Sequence, residues 1–338
     1  MAGEVSHWGT SPVVLTAVTH SNSLGKPDVS GNGASVGRML RFLGCGLLMG
    51  AADVVPGVSG GTVALVLGIY RRLVDAVRGA ARVCVPLARG HFGRFWVSLR
   101  SLDFAFLVPL GIGILLAVGS LARPIETQLH NNPEEAAGVF FGLVAASVIF
   151  ALRLINQPGT RHFLVMVGVG VLLFVLLGYQ SGPVSDPAPV VLLGSGALAI
   201  CAMILPGISG SFILLMIGMY AAVIGVISGR DFSDVAFFAV GAAFGLALFS
   251  QVLGWVLAKY HDLVTAIMIG LMLGSLRVLW PWPNGVGVIS DVEGEVIDGT
   301  GLAWPSGEEL VLPSALAVVA AGLVWGLTSL SNRFAQRV

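Results

Sequence analysis

The sequence predicts an all-α polytopic membrane protein made of two inverted repeats, each a re-entrant broken helix followed by three transmembrane helices. Three observations carry that prediction. Of the 338 residues, 56% are hydrophobic and only 11% are charged, and several apolar runs reach the ~20 residues that cross a bilayer. The string Val54-Val-Pro-Gly-Val-Ser-Gly-Gly61 returns as Ile204-Leu-Pro-Gly-Ile-Ser-Gly-Ser211, and both copies continue through an apolar turn to Gly-x-Tyr. Basic and acidic residues balance over the whole chain but are unevenly placed along it.

Taken in order, residues 1–36 are polar and rich in Ser, Gly and Asn, and are expected to form a disordered tail. The apolar stretch Pro12–Val18 is too short for the core of a signal peptide. The first broken element spans Met39–Tyr70. Pro56 removes a backbone donor and disfavours helical geometry at Val55, so two half-helices meeting at a polar break are expected there. Arg71–Arg100 carries seven arginines and one aspartate, with Phe92, Phe95 and Trp96 interleaved. That composition fits an amphipathic segment on anionic lipid, and equally a solvated basic loop.

Three uninterrupted spans follow at Phe104–Ala122, Ala136–Ile155 and Phe163–Tyr179. The second broken element occupies Val190–Ile227, with spans at Val235–Ala258, Leu263–Trp280 and Leu310–Leu330. Membrane repeat 1 thus covers residues 37–180 and repeat 2 covers 181–338. A weaker echo links Phe141-Gly-Leu-Val-Ala-Ala-Ser147 to Ile269-Gly-Leu-Met-Leu-Gly-Ser275.

Charge placement decides the topology. If both broken elements are re-entrant, each half has an odd number of crossings and the copies are inverted. Arg38, Arg41, the Arg71–Arg100 cluster, Arg153, Arg161, Lys259, Arg333 and Arg337 then share one side. The other side receives Arg123, Arg230 and the Trp282–Glu309 loop, which has six acids and no Lys or Arg. The positive-inside rule favours this arrangement over one in which both elements cross, and it puts both termini in the cytoplasm.

The residues at the breaks point to anion binding. After each proline-glycine a new half-helix starts with backbone N–H groups that have no carbonyl partner. Ser59, Thr62, Ser209 and Ser211 add hydroxyls, while Gly57, Gly60, Gly61, Gly207 and Gly210 allow close approach to the backbone. With the helix dipole, this suits a phosphate or carboxylate. The alternative is that these small residues only permit tight helix packing, which accounts for glycines but not for Pro56 and Pro206 in matched positions. Asp53 corresponds to Met203 in the second copy. A carboxylate at membrane depth is expensive and usually functional; it either titrates during a cycle or accepts hydrogen bonds from the freed N–H groups. Arg277 either counters an anionic head group or snorkels to the interface. Trp280 and Trp282 read as interfacial belt residues.

Other chemistry has little support. The chain has no Walker motif, HExxH or GxSxG, and its three cysteines follow no metal spacing. None of its six histidines pairs at ligand spacing. No cofactor, metal or nucleic-acid partner is expected.

The string Met49–Thr62 with Leu67-Gly-Ile-Tyr70, the second copy Ile204–Tyr220, and Gly270–Trp282 together resemble the bacterial polyprenyl-phosphate transporter family, long catalogued as a domain of unknown function. The likeness runs from Arg38 to Asn332. It implies a plasma-membrane translocase that returns undecaprenyl phosphate from the outer to the inner leaflet, with membrane lipid as its surroundings. It carries over Asp53, Pro56, Gly57, Ser59, Gly60, Gly61 and Thr62, with Pro206, Gly207, Ser209, Gly210 and Ser211. Arg71 stands where that family often has an acidic residue, so no role is assigned there. Proton or sodium coupling and the oligomeric state stay open. The rival readings are an ion-coupled transporter of a small soluble anion, which needs a closed aqueous path, and an intramembrane lipid phosphatase, which needs a base beside the phosphate.

The charge asymmetry yields a direct test of topology. Single cysteines placed at Arg38 and Arg82 should both be labelled from the cytoplasm by an impermeant maleimide, and one at Glu293 from outside. Labelling of the Arg38 and Arg82 positions from opposite sides contradicts the re-entrant arrangement.

Overall fold

The periodicity of apolar residues and the placement of Pro and Gly set where each helix begins and ends. A computed structural model describes residues 32–54, 58–88, 91–178, 184, 186–229, 232–282, 302–307 and 309–335. Pro56, Gly57, most of the expected tail and most of the acidic loop lie outside the described residues.

Among the described residues all regular structure is helical. Helix α1 (Asn32–Asp53) leads to the first break, then come short α2 (Gly60–Val66), α3 (Tyr70–Ala88) and α4 (Phe92–Arg100). The long helices α5 (Phe104–Asn131), α6 (Pro133–Leu152) and α7 (Thr160–Leu176) follow. The second copy runs through α8 (Pro189–Ile204), α9 (Gly210–Met216), α10 (Tyr220–Ser228), α11 (Phe232–Lys259), α12 (His261–Ser275) and α13 (Val311–Ala335). Helices α5, α6 and α11 are each long and apolar enough to cross a bilayer, and α7, α8, α12 and α13 contain shorter apolar segments.

Several boundaries differ from expectation. Helix α1 already includes residues 32–36, the end of the expected tail. Helix α5 continues past Arg123 and through Pro124 to Asn131. A proline inside a helix costs its own N–H bond but need not end the helix when the residues beyond it are helix formers. Helix α12 stops at Ser275, and the chain tightens into i→i+3 bonds from Arg277 to Gly274 and from Val278 to Ser275.

Each broken element has three helical pieces rather than two. After α2, Gly68 adopts φ +70°, and after α9, Gly218 adopts φ +73°. The Gly68 N–H donates to Leu65 O and the Ile69 N–H to Ala64 O; Gly218 to Leu215 O and Met219 to Leu214 O repeat the pattern. This is the Schellman stop, which needs a left-handed residue and therefore favours glycine. The repeated Gly-x-Tyr is thus a second breakpoint.

Packing is arranged in four tight helix pairs: α1 with α5, α8 with α11, α6 with α13, and α7 with α12. Glycine makes each approach possible. A Cβ at Gly50 would fall 2.6 Å from Ile114 O, one at Gly245 2.7 Å from Ala197 Cα, one at Gly142 2.6 Å from Ala317 Cα, and one at Gly270 2.6 Å from Met166 O. Such small-residue contacts are the usual means of bringing helices together in lipid, where apolar burial gives little net drive. At the centre α6 packs on α12, and Val144, Met268, Ile269 and Met272 are fully buried. The outer faces are apolar too: Leu115 of α5, Val171 of α7, Phe244 of α11 and Val318 of α13 are all exposed. A fold with apolar residues on both its inside and its outside is built for lipid.

The helix pairing predicts a contrast between two glycines. Gly142→Leu places a side chain on the α13 backbone and should lower the thermal midpoint in detergent, with a cost of about 1–3 kcal/mol or more. Gly168→Leu, where nothing lies within 4 Å of the added carbon, should leave it unchanged.

Candidate functional site

The two breaks meet. Ser59 is the N-cap of α2 and accepts the Gly61 N–H at 3.1 Å on Oγ, as a capping serine does. Its hydroxyl also lies 3.2 Å from Leu205 O and 3.3 Å from Met203 O, both at the end of α8. Tyr70, at the start of α3, donates its hydroxyl to Ile204 O at 3.0 Å. The Gly207 N–H donates to Thr62 Oγ1 at 2.9 Å. Residues of the first broken element therefore satisfy the backbone groups that the second leaves unpaired. Ser59 is 1% exposed and Thr62 is fully buried, so water is not available to do this instead.

Gly207 has a definite structural reason. It adopts φ +88°, and a Cβ on it would fall 2.6 Å from Met272 Cα in α12. Its missing side chain admits a neighbouring helix. Gly61 is also close-packed, with the position of its absent Cβ 3.0 Å from Ile204 O. Packing and ligand approach therefore compete at these glycines, and at Gly207 packing accounts for the residue fully.

Asp53 and Met203 occupy equivalent places. Each closes the helix before its break, and each lies over the first glycine of the following short helix. An added Cβ would fall 2.6 Å from Asp53 Oδ2 at Gly60 and 2.6 Å from Met203 Cγ at Gly210. Asp53 Oδ1 accepts the Gly60 N–H at 2.6 Å. A thioether is only a weak acceptor and cannot reproduce that bond. In the second copy Ser209 and Ser211 instead share a hydroxyl–hydroxyl bond of 2.8 Å.

The structure thus brings Ser59, Gly61 and Thr62 against Pro206, Gly207 and the end of α8, with Asp53 on Gly60 in the first copy and Ser209, Gly210 and Ser211 opening the short helix of the second. Tyr70 joins them. The sequence reading gave Tyr70 no site role, although the repeated Gly-x-Tyr was its signal. Arg277 lies elsewhere: it donates to Phe174 O at 3.3 Å and covers the Phe174 ring at 4.8 Å, at the end of α7. Trp282 is buried rather than interfacial. It stacks edge-to-face on Trp280, whose indole N–H donates to Ala303 O, because residues 302–306 fold back over this end of the bundle. Among the described residues no cluster of His, Cys, Asp or Glu is suited to a metal ion.

The link between the breaks can be tested at Thr62. Thr62→Val keeps the shape but leaves the buried Gly207 N–H without its acceptor, which should cost about 1–3 kcal/mol and lower the thermal midpoint. Thr127→Val, which removes an exposed hydroxyl bonded within its own helix, should be nearly neutral.

Comparison with known proteins adds an independent line. The model of the undecaprenyl phosphate translocase-like family matches residues 49–297, which include both breaks. A polyprenyl-phosphate transporter of Vibrio cholerae is 41% identical over 239 residues, covering 70% of this chain and 76% of that protein. A polyprenyl-phosphate transporter of Staphylococcus aureus is 32% identical over 253 residues, covering 70% of this chain and 84% of its own length. No solved structure gives a significant match. With a family model spanning both broken elements and relatives aligned over most of their length, the chain belongs to the undecaprenyl phosphate translocase-like family.

Proposed function

We propose that this protein carries undecaprenyl phosphate from the outer to the inner leaflet of the bacterial plasma membrane, binding the phosphate where the two breaks meet. The observation that carries the proposal is the meeting itself: the buried hydroxyls of Ser59 and Thr62 in the first break lie against the interrupted backbone of the second at Met203, Leu205 and Gly207, and the Ser209 and Ser211 hydroxyls follow directly in that second break. The family membership supplies the substrate class. The relatives are named as transporters rather than enzymes, which counts against the phosphatase reading. A lipid phosphate needs a polar site for its head while its tail stays in hydrocarbon, and the apolar outer faces of α5, α7, α11 and α13 suit the tail. A small soluble anion would need a closed aqueous path instead.

The inverted-repeat reading has support in the packing. Exchanging the two copies turns the α1–α5 pair into α8–α11 and the α6–α13 pair into α12–α7, and all four pairs occur. Leu43 and Gly46 answer to Leu193 and Gly196 at the spacing that separates Pro56 from Pro206. Gly113 packs on Leu43 and Gly241 on Leu193. In a carrier of this kind the bonds from Ser59, Tyr70 and Thr62 to the second copy are what must loosen when the site opens toward either leaflet.

Asp53 fits a proton-linked step. Its carboxylate already holds the Gly60 N–H, a donor that a bound phosphate oxygen would use. The two anions compete, and protonation of Asp53 weakens its side of the competition. One carboxylate in an otherwise doubled site is what a single coupled proton requires.

Leaflet-resolved transport in proteoliposomes holding only this protein tests both ideas. The parent should move undecaprenyl phosphate between leaflets, and an imposed pH gradient should change the rate. Asp53→Asn should still bind the lipid but lose the response to the gradient. No lipid movement by the parent overturns the carrier, whereas an unchanged gradient response in Asp53→Asn overturns only the role of Asp53.

A further inference from the structure

The two copies are not the same length. Phe104 and Phe232, which open α5 and α11, stand at the same spacing as Gly113 and Gly241, and as Gly142 and Gly270. That spacing is shorter than the one between Tyr70 and Tyr220. The whole difference lies between Tyr70 and Phe104. The second copy passes from Tyr220 through the nine-residue α10 almost directly into α11. The first copy has instead the 19-residue α3 and then α4. The paired-helix frame evidently does not require the extra chain, since the second half is built without it.

That extra chain has an unusual surface. Phe92, Trp96 and Val97 of α4 are 65%, 58% and 73% exposed. At helical spacing they form one face with the exposed Arg100. Phe95 and Leu99 are half-buried on the other side, where α4 packs on α3. The segment from Arg71 to Arg100 has seven arginines against one aspartate. Part of that charge fastens the segment to the bundle. Arg72 pairs with Asp103 at 2.6 Å, and Arg78 and Arg82 donate to Gln251 Oε1 of α11 at 3.0 and 3.1 Å. The apolar face of α4 is left uncovered, with basic residues at its border.

We infer that α4 is an interfacial helix that inserts Phe92, Trp96 and Val97 among the acyl chains of an anionic leaflet, with the exposed Arg100 on the lipid phosphates. Large apolar side chains on one face and cations beside them are what an anionic membrane surface binds. Arginines near such a surface are drawn to it by the negative potential of its lipids. Because α4 packs on α3, the helix held by lipid rests against the helix whose first residue, Tyr70, bonds the second break. The inference goes beyond the proposed carrier function and does not depend on it.

The test uses the full-length protein in nanodiscs of phosphatidylcholine alone or with one-third phosphatidylglycerol. An environment-sensitive fluorophore is attached at Trp96→Cys after the native cysteines are replaced. In the anionic discs its emission should shift to the blue and be quenched by lipids spin-labelled near the top of the acyl chain. Arg100→Glu should shift it back toward the emission seen in neutral discs. A water-like emission in both compositions overturns the inference. So does equal quenching in both, which would mean that lipid charge is not read. A blue shift without quenching by spin-labelled lipid overturns it as well, because the face would then be covered by protein.

Discussion

A backbone that stops being helical inside a membrane must find partners within the protein, and this fold depends on how it does so. Each buried amide or carbonyl left without a partner costs several kcal/mol in hydrocarbon, roughly the whole stability margin of a small domain if two or three are left. Here side chains of the first broken element satisfy backbone groups of the second. Thr62 takes the Gly207 N–H, Ser59 lies against the Met203 and Leu205 carbonyls, and Tyr70 reaches the Ile204 carbonyl. The second break could not be buried alone at comparable cost. The central α6–α12 pair then gives both short helices an apolar floor, with Met272 fixing how near Gly207 may come.

Beside that dependence of the second break on the first, the asymmetry at Asp53 is informative. Both copies use the same frame: a side chain from the preceding helix lies over the first glycine of the short helix. In one copy the side chain is a carboxylate that holds a backbone N–H, in the other a thioether that only packs. If the carboxylate were needed simply to close a break, the second copy would need one too. The second copy closes with methionine, so closure does not require charge at this position. The carboxylate is then free to serve a step that the doubled frame performs only once.

Much of this was legible in the sequence, for physical reasons that differ by element. The spans could be read because lipid imposes a minimum apolar length, and the breaks because proline and glycine act locally. The second stop at Gly68 and Gly218 was visible as a repeated motif, but its backbone geometry was not, since a left-handed glycine and a packing glycine read alike. Gly207 shows the same limit: a residue assigned to ligand approach also meets the Met272 backbone. Long-range partners such as Thr62 with Gly207 and Tyr70 with Ile204 depend on how the two halves dock, which no local pattern specifies. Arg277 and Trp282 were placed by general habits of membrane proteins, and the fold-back of residues 302–306 gave Trp282 a buried site instead.

The length difference between the copies bears on how the frame and its surroundings divide their work. Glycine contacts at Leu43–Gly113 and Leu193–Gly241 are the same contact made twice, so the first and long helices of each copy are held in one geometry by the same small residues. Chain added between Tyr70 and Phe104 leaves that geometry intact because it projects from the bundle instead of threading through it. It is fastened by polar pairs, Arg72 with Asp103 and Arg78 with Gln251, and by Val74 and Ala76, which are buried in the core. The four tight pairs cannot slide without opening voids, because backbone meets backbone at their glycines. The added segment has side-chain contacts in place of such a glycine interface, so it can shift by side-chain rearrangement while the four pairs stay fixed.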